Sequence, residues 1–200
     1  MTGAIPVGGR AEPQADHEHP FEWLRACHDR VERTLDLLQR LVAHVEVHGV
    51  DTQAAQAAAQ VQRYFDQAAP LHHEDEELHV FSRVLALGDA RLDAMVKRLQ
   101  ADHAAMADDW AHLRSVLSRL QAAVGDAGWR WSSDDRQCLA RFVQRYESHI
   151  ATEEGEVFVA AEHAMAAADR AAMAEDMRVR RAIASPTTVG VPLKSPQVRR

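Results

Sequence analysis

Two decapeptides, HHEDEELHVF at 72–81 and HIATEEGEVF at 149–158, share the skeleton His-x-x-x-Glu-Glu-x-x-Val-Phe. A histidine and a carboxylate four residues apart lie on the same face of an α-helix, about one turn from each other. Two such pairs on alternate helices can line one interior. The repeat therefore restricts the chain to folds in which those helices face a common core.

The periodicity extends further. His28 stands 44 residues before His72, and His103 stands 46 residues before His149. Each opens a helical run, CHDRVERTLDLLQRL and DHAAMADDWAHLRSVL. The chain thus reads His…His-x-x-x-Glu twice over. A check of height supports a meeting of all six residues. His28 lies about twenty residues before the end of the first helical run, and His72 about twenty after the start of the second. Glu76 is about twelve residues before the second turn, and His103 about fourteen after it. His149 fits the same layer more loosely, with a long loop to absorb the difference.

Strand signals are nearly absent. Apolar residues at helical spacing (Leu24, Val31, Leu35, Leu38, Val42, Val45) predict a first helix from Pro20 to a stop at Gly49. A second is expected over about 51–87, interrupted and bent by Pro70. A third is expected over about 89–124 and a fourth from a Ser132 or Ser133 cap to about Met165. Four long helices with short connections predict an all-α, antiparallel up-down-up-down bundle over 20–165. A non-bundle helical array is the weaker alternative. Residues 1–19 read as a flexible leader, and 166–200 as a short helix near 169–181 followed by a disordered basic tail.

Composition narrows function by exclusion. The net charge of −7 argues against nucleic acid or an anionic membrane as partner. No run approaches the ~20 apolar residues of a membrane span, and the N-terminus lacks a secretory pattern. A cytoplasmic address is the default expectation. Cys27 and Cys138 are too few for a disulfide framework or thiolate zinc site, and antiparallel helices set them at different heights. The twelve histidines are many, which raises the chance of metal binding and of accidental motif matches alike.

With these motifs in place, the chain resembles the hemerythrin-like, or HHE cation-binding, domain family over about residues 19–163. The resemblance implies a four-helix bundle holding a non-haem di-iron centre. It implies His28, His72, Glu76, His103, His149 and Glu153 as ligands, with Glu76 and Glu153 bridging. Respiratory hemerythrins carry a fifth histidine four residues along the third helix; here that position is Ala107. The chain is similar to the four-histidine branch, and the departure speaks against reversible oxygen carriage.

Coordination chemistry points the same way. Imidazole and carboxylate suit iron, and two carboxylates can bridge a metal pair. Four nitrogens, four bridging oxygens and a shared oxo or hydroxo group fill about ten of twelve octahedral positions. About two positions stay open for oxygen, nitric oxide or peroxide. The ligand types also accommodate manganese or a mixed pair, while structural zinc wants four ligands rather than six.

Each histidine alone reads more simply as a surface or core residue; the six together do not. Glu77, Glu154 and His73 adjoin motif residues about 100° around the helix, which makes them solvated, pocket-edge or supporting groups rather than ligands. Glu32 falls a turn outside the cluster. His44 and His48 read as a surface pair, and Glu76…His79 as a chance Glu-x-x-His match without a second copy. Phe81 and Phe158 are expected to pack below the layer, and Trp129 and Trp131 to anchor a loop. Function divides between a module that binds or senses a small ligand or iron and an enzyme that decomposes peroxide or reduces a small oxidant. The enzyme requires a proton donor that the sequence does not identify. No protein partner is legible.

Overall fold

The structure, a computed structural model, describes residues 19–184. The expected leader, apart from His19, and the basic tail from 185 lie outside the described residues. The fold is all-α. Its elements are α1 (Pro20–His48), α2 (Thr52–Asp75), a π-helical turn (Glu76–Phe81), α3 (Ser82–Leu85), α4 (Ala90–Ala122), α5 (Ser133–Thr152), a second π-helical turn (Glu153–Val157), α6 (Phe158–Ala164) and α7 (Ala167–Ala184). Among the described residues, no helix is long and apolar enough to cross a membrane.

The helix ends follow from local chemistry. Pro20 opens α1, where a missing N–H is harmless. Gly49 closes it at φ 75°, a left-handed conformation that glycine adopts freely. Asp51 accepts from the N–H of Ala54 at 2.8 Å, and Asp89 from the N–H groups of Arg91 and Leu92. Ser132 and Asp135 form a reciprocal capping box at the start of α5.

Cross-helix pairs fix the directions. His44 pairs with Asp51 at one end while His28 meets Glu76 at the other, so α1 and α2 are antiparallel. Gln62 meets Ser118 while Glu77 meets His103, and Asp109 meets Arg141 while Asp102 meets Arg145. Arg25 pairs with Glu162 and Arg136 with Glu46, which closes the ring between the first and fourth arms. The up-down-up-down bundle is the observed fold.

Two differences from a simple reading stand out. Helix α2 continues through Pro70 without interruption. The irregularity falls instead at the two motif glutamates, each of which starts a π-helical turn. The reason is geometric. In an α-helix, residue i+5 sits about 140° away from residue i, which would turn Phe81 away from the face of Glu76. The wider π turn brings Glu76, Val80 and Phe81 inward together, and all three are buried. Glu153, Val157 and Phe158 repeat the arrangement.

The core is split by height. One apolar cluster holds Val31 to Val45 of α1, Ala54 to Ala69 of α2, Met106 to Leu120 of α4 and Cys138 to Ile150 of α5. A second holds Phe21 to Cys27, Val80 to Val84, Leu92 to Leu99 and Val157 to Ala161, together with Met173 and Met177 of α7. Each helix passes from one cluster to the other at its motif residue. Cys27 and Cys138 are buried free thiols. Trp131 is buried against the loop-end core, with the Trp129 ring 4.9 Å away.

Candidate metal centre

Between the two apolar clusters lies one polar layer. His28, His72, Glu76, His103, His149 and Glu153 are brought together there, each no more than 6 % exposed. Glu76 Oε1 lies 3.3 Å from His28 Nε2 and 3.1 Å from His72 Nε2, while its Oε2 lies 3.6 Å from His103 Nε2. Glu153 Oε2 lies 3.2 Å from His28 Nε2, and its Oε1 lies 3.0 Å from His149 Nε2. Each carboxylate therefore presents its two oxygens to opposite histidine pairs.

The donor set fits a cation. His103 and His149 aim their Nε2 atoms at each other across 3.0 Å. Glu76 Oε2 and both oxygens of Glu153 are buried without a hydrogen-bond partner among the described residues. Stranded buried acceptors of this kind are costly unless a charge satisfies them. Among the described residues, two groupings of ligating atoms converge closely enough to hold an ion: Glu76, His103, His149 and Glu153, and His28, His72 and Glu76.

Protonation reflects the same crowding. Burial opposes a charge on His28, yet Glu153 and Glu76 outweigh it and push its pKa up to about 11. Burial also opposes ionisation of Glu153, but the His149 and His28 nitrogens, 3.0 and 3.2 Å away, hold it below the usual carboxylate range. Glu76 is raised by burial and then by the charge of Glu153. His72 is held well below its ordinary value by burial and the nearby charge of His28. Without a cation, a proton on His28 takes that place.

The outer nitrogens are held by a crossed pair of carboxylates. His28 Nδ1 donates to Glu154 at 2.8 Å, and His103 Nδ1 donates to Glu77 at 2.8 Å. With Nδ1 carrying the proton, each Nε2 lone pair faces the layer. The stacking is crossed too: His28 lies against Phe158 and His103 against Phe81, with ring centroids 5.4 and 5.6 Å apart. The two halves of the chain thus each orient the other's leading histidine.

The other candidates fall outside the layer, with His73 alone packed against its edge. Glu32 is exposed. His44 pairs with Asp51 at 3.0 Å at the loop end of α1, with His48 beside it. His79 turns to Asp176 of α7 at 2.8 Å, which accounts for the Glu-x-x-His coincidence. His73 stacks on His103 at 4.0 Å.

Sequence reasoning missed three groups. Tyr146 is buried, with its hydroxyl 3.4 Å from His73 Nε2. Its position one turn before His149 was the available signal. Asp102 Oδ2 stands 3.8 Å from His149 Nδ1 and is itself held by Arg145. Asp75 is fully buried against Arg180 and Arg181, a long-range contact without a local signature.

The comparison with known families decides the relationship. A model of the hemerythrin HHE cation binding domain matches residues 19–161. The chain belongs to the hemerythrin family. The matched span contains the whole layer. The chain is also 32% identical, over 145 residues, to an uncharacterized protein of Haemophilus influenzae, covering 72% of this chain and 80% of the other. The family and the buried His/Glu cluster together mark a metal-binding domain.

Proposed function

We propose that the layer binds two iron ions, His28 and His72 on one, His103 and His149 on the other, with Glu76 and Glu153 bridging. The centre then binds or senses oxygen, nitric oxide or iron itself. The observation that carries this reading is the split of each carboxylate's oxygens between opposite histidine pairs. When bound, the ions supply open coordination positions and one-electron redox chemistry. The chain's own residues do the rest. Glu77 and Glu154 fix the tautomers of His103 and His28, while Phe81 and Phe158 keep the inner side of the layer dry.

The same ligand types suit manganese or a mixed pair, which metal analysis of the protein as purified separates from iron. The protein is loaded anaerobically with ferrous iron, iron per chain is counted, and oxygen is then admitted. About two irons per chain, with new charge-transfer absorption on oxidation, support the reading. One tightly held zinc, or no iron, defeats it.

A second reading, an oxidoreductase that decomposes hydrogen peroxide or reduces a small oxidant, is favoured by Tyr146. Its buried hydroxyl holds a proton beside His73, which stacks on His103. Burial keeps that phenol protonated well above the ordinary tyrosine range. Repeated peroxide turnover that falls in Tyr146→Phe with iron content unchanged supports the enzyme. A species reversed by removing oxygen supports binding.

A further inference from the structure

Helix α7 begins at Ala167, beyond the span that matches the family. It nevertheless packs on the half of the bundle that carries both π turns. Met173 and Met177 are buried in the same cluster as Val80, Phe81, Val157 and Phe158. Its polar edge grips the first π turn at two points. Arg180 Nη2 and Arg181 Nη2 each stand 2.5 Å from one oxygen of Asp75, the residue before Glu76. Asp176 accepts from His79, inside the turn, at 2.8 Å and pairs with Arg180 at 3.0 Å. The Arg181 guanidinium also lies over the Trp23 ring at 4.5 Å, which ties α1 to the same contact.

A carboxylate that is fully buried between two guanidiniums is a weak source of net stability, because desolvation offsets much of the attraction. Its geometric effect is strong, since removing one partner leaves a buried unpaired charge. The equivalent position in the second motif is Thr152, which bonds back to its own helix at Ser148 and receives Arg98 from α4. Among the described residues, the polar grip of α7 therefore falls on the first motif. The braced segment is a π turn, an irregular backbone whose widened geometry sets where the Glu76 carboxylate points.

We infer that Asp75, Arg180 and Arg181 are positioning residues for Glu76, and that α7 docking is coupled to occupancy of the metal centre. The inference rests on the metal reading above. Ligation would hold the Glu76 carboxylate in the layer and so stabilise the turn, and the turn presents Asp75 to α7. By linkage, α7 docking raises metal affinity by the same factor. Loss of the ion loosens α7, so the state of the centre is reported at the C-terminal end of the domain.

The test is limited trypsin digestion of the full chain, metal-free and loaded anaerobically with ferrous iron, with bound iron counted in each sample. Cleavage after Arg178, Arg180 and Arg181 is expected to slow on loading by about 5–150-fold. In R180Q/R181Q, which keeps Arg178 as a cleavage site, that protection is lost and iron binds more weakly. R180K/R181K restores part of both, which loss of packing alone would not produce. Asp75→Asn, checked for helical content, should behave like the glutamine pair. Equal cleavage rates in the metal-free and iron-bound protein would overturn the coupling while leaving the metal centre intact. Absence of bound iron would overturn both.

Discussion

Glu154 stands 2.8 Å from Nδ1 of His28, one residue beyond the glutamate that faces the other nitrogen of the same ring. Adjacent acids in one motif thus serve the two sides of one imidazole. Glu77 does the same for His103.

This relationship predicts the effect of removing the outer acid. Glu154→Gln and Glu77→Gln should each weaken metal binding by about 10–100-fold, as loss of a ligand's supporting acceptor does. Metal-free stability should barely change, because both carboxylates are partly exposed. Competition with a chelator measures the first and denaturant unfolding the second. Unchanged affinity in both variants would remove the orienting role.

The ligand assignment has its own control. His103→Ala and His149→Ala should lose most bound iron. His44→Ala, whose side chain pairs with Asp51 far from the layer, and His163→Ala, an exposed residue near the end of α6, should keep it. Similar metal loss from all four would sink the assignment.

Proton competition sets the pH behaviour. The pKa of His28 is raised in the fold from 6.5 to about 11. In the metal-free protein its contribution to stability is fully present below pH 6.5 and is lost as pH rises towards 11. The stability difference between the wild type and His28→Gln should therefore shrink across that window. Metal must displace the same proton, so loading at neutral pH releases protons and affinity falls as pH falls. An indicator dye follows the release. No release on loading would place the ion away from His28.

Packing and ligation meet at Phe158, a fully buried ring stacked on His28. Phe158→Ala should lower stability by about 3–5 kcal/mol through the cavity it leaves. Thermal or denaturant unfolding reads this, and a loss under about 1 kcal/mol would contradict the packing.

Helix periodicity, caps and the doubled His-x-x-x-Glu spacing are local properties, so four helices, their antiparallel order and the meeting of six residues in one layer were legible from residue order alone. So was the division between inner glutamates and their outward neighbours, because one residue along a helix is a fixed rotation. The π turns were not legible. They arise where Glu76 and Phe81, or Glu153 and Phe158, must both face inward, a demand set by the neighbouring helices. Tyr146 beside His73, Asp102 beside His149, and Asp75 beneath Arg180 and Arg181 likewise pair residues far apart in the chain or on different faces. Spacing within a helix determines which side chains point together. Only packing between helices decides which of them meet, and which buried charges find a partner.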